Sequence, residues 1–111
     1  MTIQQITDRL NLIVFTPGKG LKRELSGGYV SDLLSDVMGF SREGEVWITL
    51  QSHVNVVAIA SLKELSAIIL VKGIVPDEAV VKKAEDEGLA LLGTAEGTFV
   101  TAGKLFQMLN E

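Results

Sequence analysis

The chain has 111 residues, is 47% hydrophobic but only 5% aromatic, and carries a formal net charge of −4. A domain of this length buries roughly two-thirds of its unfolded surface, and with so few aromatics its core must be built from Val, Ile, Leu and Ala. The acidic balance excludes a basic footprint for nucleic acid or an anionic membrane, and the absence of cysteine excludes disulfides, thiolate nucleophiles and zinc–thiolate sites.

Thr2 is placed to cap a first helix whose apolar face is Ile3, Ile6 and Leu10. Leu12 to Phe15 is a continuous apolar run stopped by Pro17-Gly18, and is expected to be a buried strand. Gly18 to Gly28, with Lys19, Lys22 and Arg23, is expected to be a loop with at most one short extended piece. Ser31 or Asp32 is expected to cap a helix with Leu33, Leu34, Val37 and Met38 on its apolar face and Gly39 at its end.

Gly44 marks a turn, and Val46 to Leu50 has the β-branched and aromatic character of a strand. Ser52 or His53 can cap the helix that follows, which carries Val56, Val57, Ala60, Leu62 and Leu65. Ala67 to Val71 is a short buried strand. Pro76 and Asp77 open a helix that Gly88 closes, with four-apart pairs Glu78–Lys82 and Lys83–Glu87 on its solvent face. Leu89 to Leu92 is the next strand, and this strand–helix–strand unit should be parallel with a right-handed crossover. Gly97 to Asn110 closes the chain as a helix carrying Val100, Leu105, Phe106 and Leu109. No repeat and no linker rich in Pro or Ser divides the chain. The expected architecture is a single α/β domain over residues 1–111, with a mixed or mostly parallel sheet and packed helices.

Three glycine-bearing turns invite a phosphate reading. Thr16-Pro17-Gly18-Lys19-Gly20 lacks the glycine spacing, the terminal Lys-Ser or Lys-Thr and the following helix of a P-loop. Gly27 and Gly28, in Ser26-Gly27-Gly28-Tyr29, offer either a weak amide nest for a phosphate or a tight turn. Gly93 to Gly97 opens the last helix, where free amides could hold an anion, although capping by Thr94 or Thr98 accounts for the same residues. His53 is the one histidine and has no nucleophile at a triad spacing, so it is either a cap or a lone acid or base. Glu85-Asp86-Glu87 is a solvated helix face beside lysines, so no metal site is expected, and no cofactor is called for.

Open α/β sheets bind ligands beyond the carboxyl ends of their strands. Those ends are Thr16 to Lys19, Gln51 to Asn55, Lys72-Gly73 and Thr94 to Thr98. The candidate ligand-binding residues are therefore Gln51, Ser52, His53, Asn55, Lys72, Gly73, Thr94 and Thr98, suited to a nucleotide or small anion.

From Gly27 onward the chain resembles the DRTGG domain family. The resemblance rests on the stretch from Gly27 to Met38, the strand Gly44 to Leu50, the strand and turn Ala67 to Gly73, the helix start Pro76-Asp77-Glu78 and the segment Thr98 to Gly103. Gln51-Ser52-His53 stands where the family carries Asp-Arg, and Val71-Lys72-Gly73 where it carries Thr-Gly-Gly. The resemblance implies a fold like the N-terminal domain of HPr kinase/phosphorylase. It also implies a regulatory role, since such domains accompany catalytic parts that lie elsewhere.

With a mean hydropathy of +0.33, the leading expectation is a non-enzymatic regulatory or assembly module, homodimeric and acting on a partner protein in trans. The alternative is a small-ligand sensor at the strand ends. An enzyme with His53 as acid or base is the third reading. No segment has the form of a leader and no apolar run approaches the roughly 20 residues of a membrane span, so the expected setting is cytoplasmic, away from membrane and nucleic acid.

Overall fold

A computed structural model describes residues 1–111. Five strands form one sheet in the order β1-β5-β4-β3-β2: β1 (Ile13–Val14), β2 (Gly27–Val30), β3 (Glu45–Thr49), β4 (Ala67–Leu70) and β5 (Ala90–Gly93). β2 to β5 are mutually parallel, and β1 pairs antiparallel with β5, Ile13 opposite Gly93 and Val14 opposite Leu92. The helices are α1 (Ile3–Leu10), α2 (Leu34–Phe40), α3 (Val54–Leu62), α4 (Glu78–Glu87) and α5 (Thr98–Leu109). A single 3₁₀ turn covers Lys19–Lys22.

The core divides at the sheet because side chains alternate along each strand. Trp47, Ile68, Leu70 and Leu91 face Val37 of α2, Val56, Val57 and Ala60 of α3, and Val80 and Ala84 of α4. Val46, Ile48, Ala67, Ile69, Ala90 and Leu92 face Ile3 and Ile6 of α1 and Leu105 and Met108 of α5. The strands run 2-3-4-5 in order, so three successive crossovers put α2, α3 and α4 on the same face. α5 then passes to the other. A parallel sheet covered on both faces needs strands that are apolar throughout, and β4 and β5 are buried at every position.

Local chemistry sets the helix limits. Thr2 and Gln5 form a reciprocal capping box on α1. Asp77 caps α4 by accepting from the Val80 amide, and Gly88 ends it with a φ of +66°. Trp47 is fully buried, and its indole N–H donates to the Ser31 carbonyl at 2.8 Å.

Several expectations are corrected. The run Leu12 to Phe15 does not form a buried strand. β1 is a two-residue edge strand, Ile13 is 52% exposed, and the Thr16 hydroxyl continues the pairing by donating to the Leu89 carbonyl and accepting from the Leu91 amide. The stretch Gly18 to Gly28 has its short extended piece at Gly27 and Gly28, which begin β2, and also holds a 3₁₀ turn that was not expected. Gly27 and Gly28 are extended strand residues aligned with Glu45 and Val46, and neither has the left-handed φ that a nest requires.

Neither Ser31 nor Asp32 caps α2. The cap position is Leu33, without a side-chain bond, and Leu33 and Met38 are exposed while Val37 alone of the helix is buried. The α5 cap is Gly97, again without a side-chain bond, so Thr94 and Thr98 do not cap it. Of the two expected α4 ion pairs, Lys83–Glu87 is present at 3.9 Å.

Candidate functional site

The parallel strands bring the ends of β3, β4 and β5 to one edge of the sheet. β1 runs the other way, so Thr16 to Lys19 lie at the opposite edge, beside Gly88 and Leu89. This removes one of the four loops expected to converge.

The remaining residues form two groups. At the end of β3, Gln51 donates through its side-chain amide to the Asp32 carbonyl at 3.1 Å. Asp32 itself accepts from the Thr49 hydroxyl at 2.8 Å and the Leu50 amide at 2.7 Å, and so ties the loop before α2 to the strand end. His53 is the N-cap of α3, its Nδ1 accepting from the Asn55 amide at 3.2 Å. His53 and Asn55 are exposed, and Ser52 is half-buried.

At the ends of β4 and β5 the chain diverges to opposite faces, the topology that opens a crevice in α/β sheets. Main chain bridges this one. Lys72 and Gly73, with φ of 59° and 72°, form the centre of a tight turn closed by the Ile74 amide on the Val71 carbonyl. The Lys72 amide donates to the Glu96 carbonyl and the Gly73 amide to the Thr94 carbonyl, both at 2.8 Å. Thr94 is buried and accepts from the Glu96 amide, and Thr98 begins α5. Thr94 also lines a cavity of about 320 Å³ with Asn11, Glu96 and Lys104, and is the one strand-end candidate that lines a cavity. No group of three or more His, Asp or Glu side chains is arranged to hold a metal ion.

The largest concavity lies on a different part of the surface. It is a groove of about 350 Å³ between β2 and α5, lined by Gly28, Val30, Ile48, Leu105 and the α5 residues Phe99, Ala102, Gly103, Phe106 and Leu109. Phe99 is 90% exposed and Phe106 70%. The inward face of α5 is Thr101, Leu105 and Met108, so Phe106 and Val100, expected inside, point away from the core. The missed signal is that the apolar residues of α5 spread beyond the inward face 101-105-108, so that Ala102 and Leu109 are only partly buried against the core and Phe99 and Phe106 are left exposed.

Electrostatics are local. Arg9 makes a two-pronged contact with Glu111 at 2.8 and 2.5 Å, and this holds the Glu111 carboxyl below the usual carboxylate range. The Tyr29 hydroxyl donates to Asp36 at 2.8 Å, and that bond raises the phenol above its ordinary range. Lys104 bonds both carboxylate oxygens of Glu96.

No curated protein matches the chain. Among solved structures, it is similar to the CBS and DRTGG domains of the regulatory region of Clostridium perfringens pyrophosphatase, which was complexed with its activator, diadenosine tetraphosphate. The TM-score is 0.69 at 19% identity, over 94% of this chain and 45% of that one, and a likeness at this identity is one of fold. The chain thus spans less than half of that regulatory region. No helix is long and apolar enough to cross a membrane. The DRTGG domain model matches residues 5–108, nearly the whole of what has been described, and the chain belongs to the DRTGG domain family.

Proposed function

We propose that residues 1–111 act as one non-enzymatic regulatory module in the cytoplasm, self-associating as a homodimer and acting on a partner protein in trans. The observation that carries this reading is the groove between β2 and α5. It is the largest concavity, apolar in lining, and rimmed by two phenylalanines that the fold leaves in water. A contiguous apolar surface of this kind marks an association site on a small domain. Membership of the DRTGG family supports a regulatory rather than a catalytic role. So does the geometry of His53, whose Nδ1 is engaged as a helix cap. Sedimentation velocity across a dilution series tests the reading. A monomer–dimer equilibrium is expected at micromolar concentration, and a strict monomer at high micromolar concentration overturns it.

A second reading is favoured by one specific finding: the C. perfringens regulatory region, part of which shares this fold, was complexed with diadenosine tetraphosphate. In this reading the strand ends bind a nucleotide or small anion through Ser52, His53, Lys72 and Thr94, with Gln51, Asn55, Gly73 and Thr98 as the other candidates. Calorimetry against nucleotides and phosphorylated metabolites tests it. Binding abolished by His53→Ala with Lys72→Ala is expected, and a blank panel with the unmodified chain counts against it.

A further inference from the structure

We propose that the self-associating surface is α5 itself, packed antiparallel against α5 of a second copy, with each Phe106 entering the groove of the other. The proposal rests on the homodimer reading and specifies its interface. Phe99, Ala102, Phe106 and Leu109 are separated by 3, 4 and 3 residues and form one stripe of α5, in which Ala102 and Leu109 are partly buried against the core while Phe99 and Phe106 stand exposed. Read in either direction this spacing is the same, with its midpoint level with Lys104. A two-fold contact needs that property, since residue i must meet residue j while j meets i.

Antiparallel registration about that midpoint sets Ala102 opposite the partner's Phe106 and Phe99 opposite the partner's Leu109. Each pair joins a large side chain to a smaller one, as interdigitated packing requires. Gly103, beside the seam, has open space where a Cβ would stand, so two helix axes can approach closely. The groove of about 350 Å³ floored by Gly28, Val30 and Leu105 receives the incoming ring.

Charge does not oppose the contact. No seam residue is charged, and Lys104 at the midpoint is bonded to Glu96 of its own chain. Arg9 and Glu111, near the end of α5, likewise neutralise each other. The two exposed phenylalanines contribute about 300 Å² of apolar surface per copy. Val30, about half exposed, and the partly buried Ala102 and Leu109 add less than the two rings do, so the patch falls short of the roughly 800 Å² per partner of stable interfaces and matches a weak, transient contact. A contact of this size is expected to be reversible.

The chain has no cysteine, so single-cysteine variants report one position each. Ala102→Cys, treated with a short bis-maleimide, is expected to cross-link into a covalent dimer, and Lys82→Cys on α4 is not. Phe106→Gln, at an exposed position and with melting temperature checked against the unmodified chain, is expected to weaken dimerisation about 100-fold by sedimentation velocity. If the unmodified chain dimerises but Phe106→Gln and Phe99→Gln leave its dissociation constant within about twofold, as distant surface changes do, and Ala102→Cys does not cross-link, the α5 interface is wrong while the homodimer stands. If the unmodified chain stays monomeric at high micromolar concentration, both fall and the groove has a different occupant.

Discussion

Replacing Gly20 by alanine tests how tightly the 3₁₀ turn is clipped to the sheet. Gly20 lies against the start of β5, and a Cβ there would stand 2.8 Å from the Ala90 nitrogen, 3.0 Å from the Gly88 oxygen and 3.2 Å from the Leu89 carbonyl carbon. All three are main-chain atoms, and β5 is fixed by β4 on one side and β1 on the other. The turn must retreat by about half an ångström to restore ordinary contact distances. Overpacking of this kind costs about 1–3 kcal/mol. For a domain of this size each kcal/mol corresponds to about 4 °C, so the melting temperature should fall by about 4–12 °C.

Gly39→Ala supplies the reference. Gly39 lies in α2, where a Cβ would have nothing within 4 Å, and its φ is not left-handed. Both substitutions restrict the unfolded chain in the same way, so the difference between them isolates crowding in the folded state. Gly39→Ala should raise stability by about 0.5–1 kcal/mol. Thermal and urea unfolding followed by circular dichroism measure both, with the urea slope expected to be unchanged. A Gly20→Ala variant as stable as Gly39→Ala would refute the close apposition of the turn and β5.

Lys72 occupies a left-handed conformation that disfavours a side chain with no local hydrogen bond to offer. Lys72→Asn should stabilise the chain by about 0.5–1 kcal/mol in the same unfolding experiment, and a loss would mean that the lysine side chain supports the turn. His53→Ala removes the α3 cap and should cost about 0.5–1 kcal/mol, whereas His53→Ser should restore most of it; equal losses for both would show that the ring acts by something other than capping. Because the Tyr29 phenol is raised in the folded state by its bond to Asp36, it contributes stability that is present below the ordinary tyrosine range and is lost as pH rises through the raised value. Tyr29→Phe should therefore flatten the alkaline decline of the melting temperature, and an unchanged decline would exclude this bond as its source.

The half of the fold from β3 to α5 is legible because its signals are local and agree. Short apolar runs are punctuated by Asp77 and Gly88, each of which acts as a cap in the structure. β2 is not legible, since Gly27 and Gly28 have little strand preference and the element exists by its register with Glu45 to Ile48. Nor can an apolar run such as Leu12 to Phe15 declare whether it pairs on one side or two. The edge that gathers Gln51, His53, Lys72 and Thr94 follows from parallel strands, and so could be anticipated. The main-chain bridges from Lys72 and Gly73 to the loop after β5 depend on two left-handed residues, which composition does not announce. The exposure of Phe106 is hidden for a simpler reason: a phenylalanine on an amphipathic helix reads as core until the sheet is seen to cover Thr101, Leu105 and Met108 instead.

The two edges of the sheet are unequal, and this limits how large an assembly can grow. β1 ends one side with only two paired residues, which is too short to template another strand. β2 ends the other with four residues, flanked by the exposed seam of α5. A two-fold union at the β2 side turns like edges inward and leaves the stunted β1 edge outward at both ends. An assembly of the proposed kind would leave no sheet edge long enough to extend it by strand pairing.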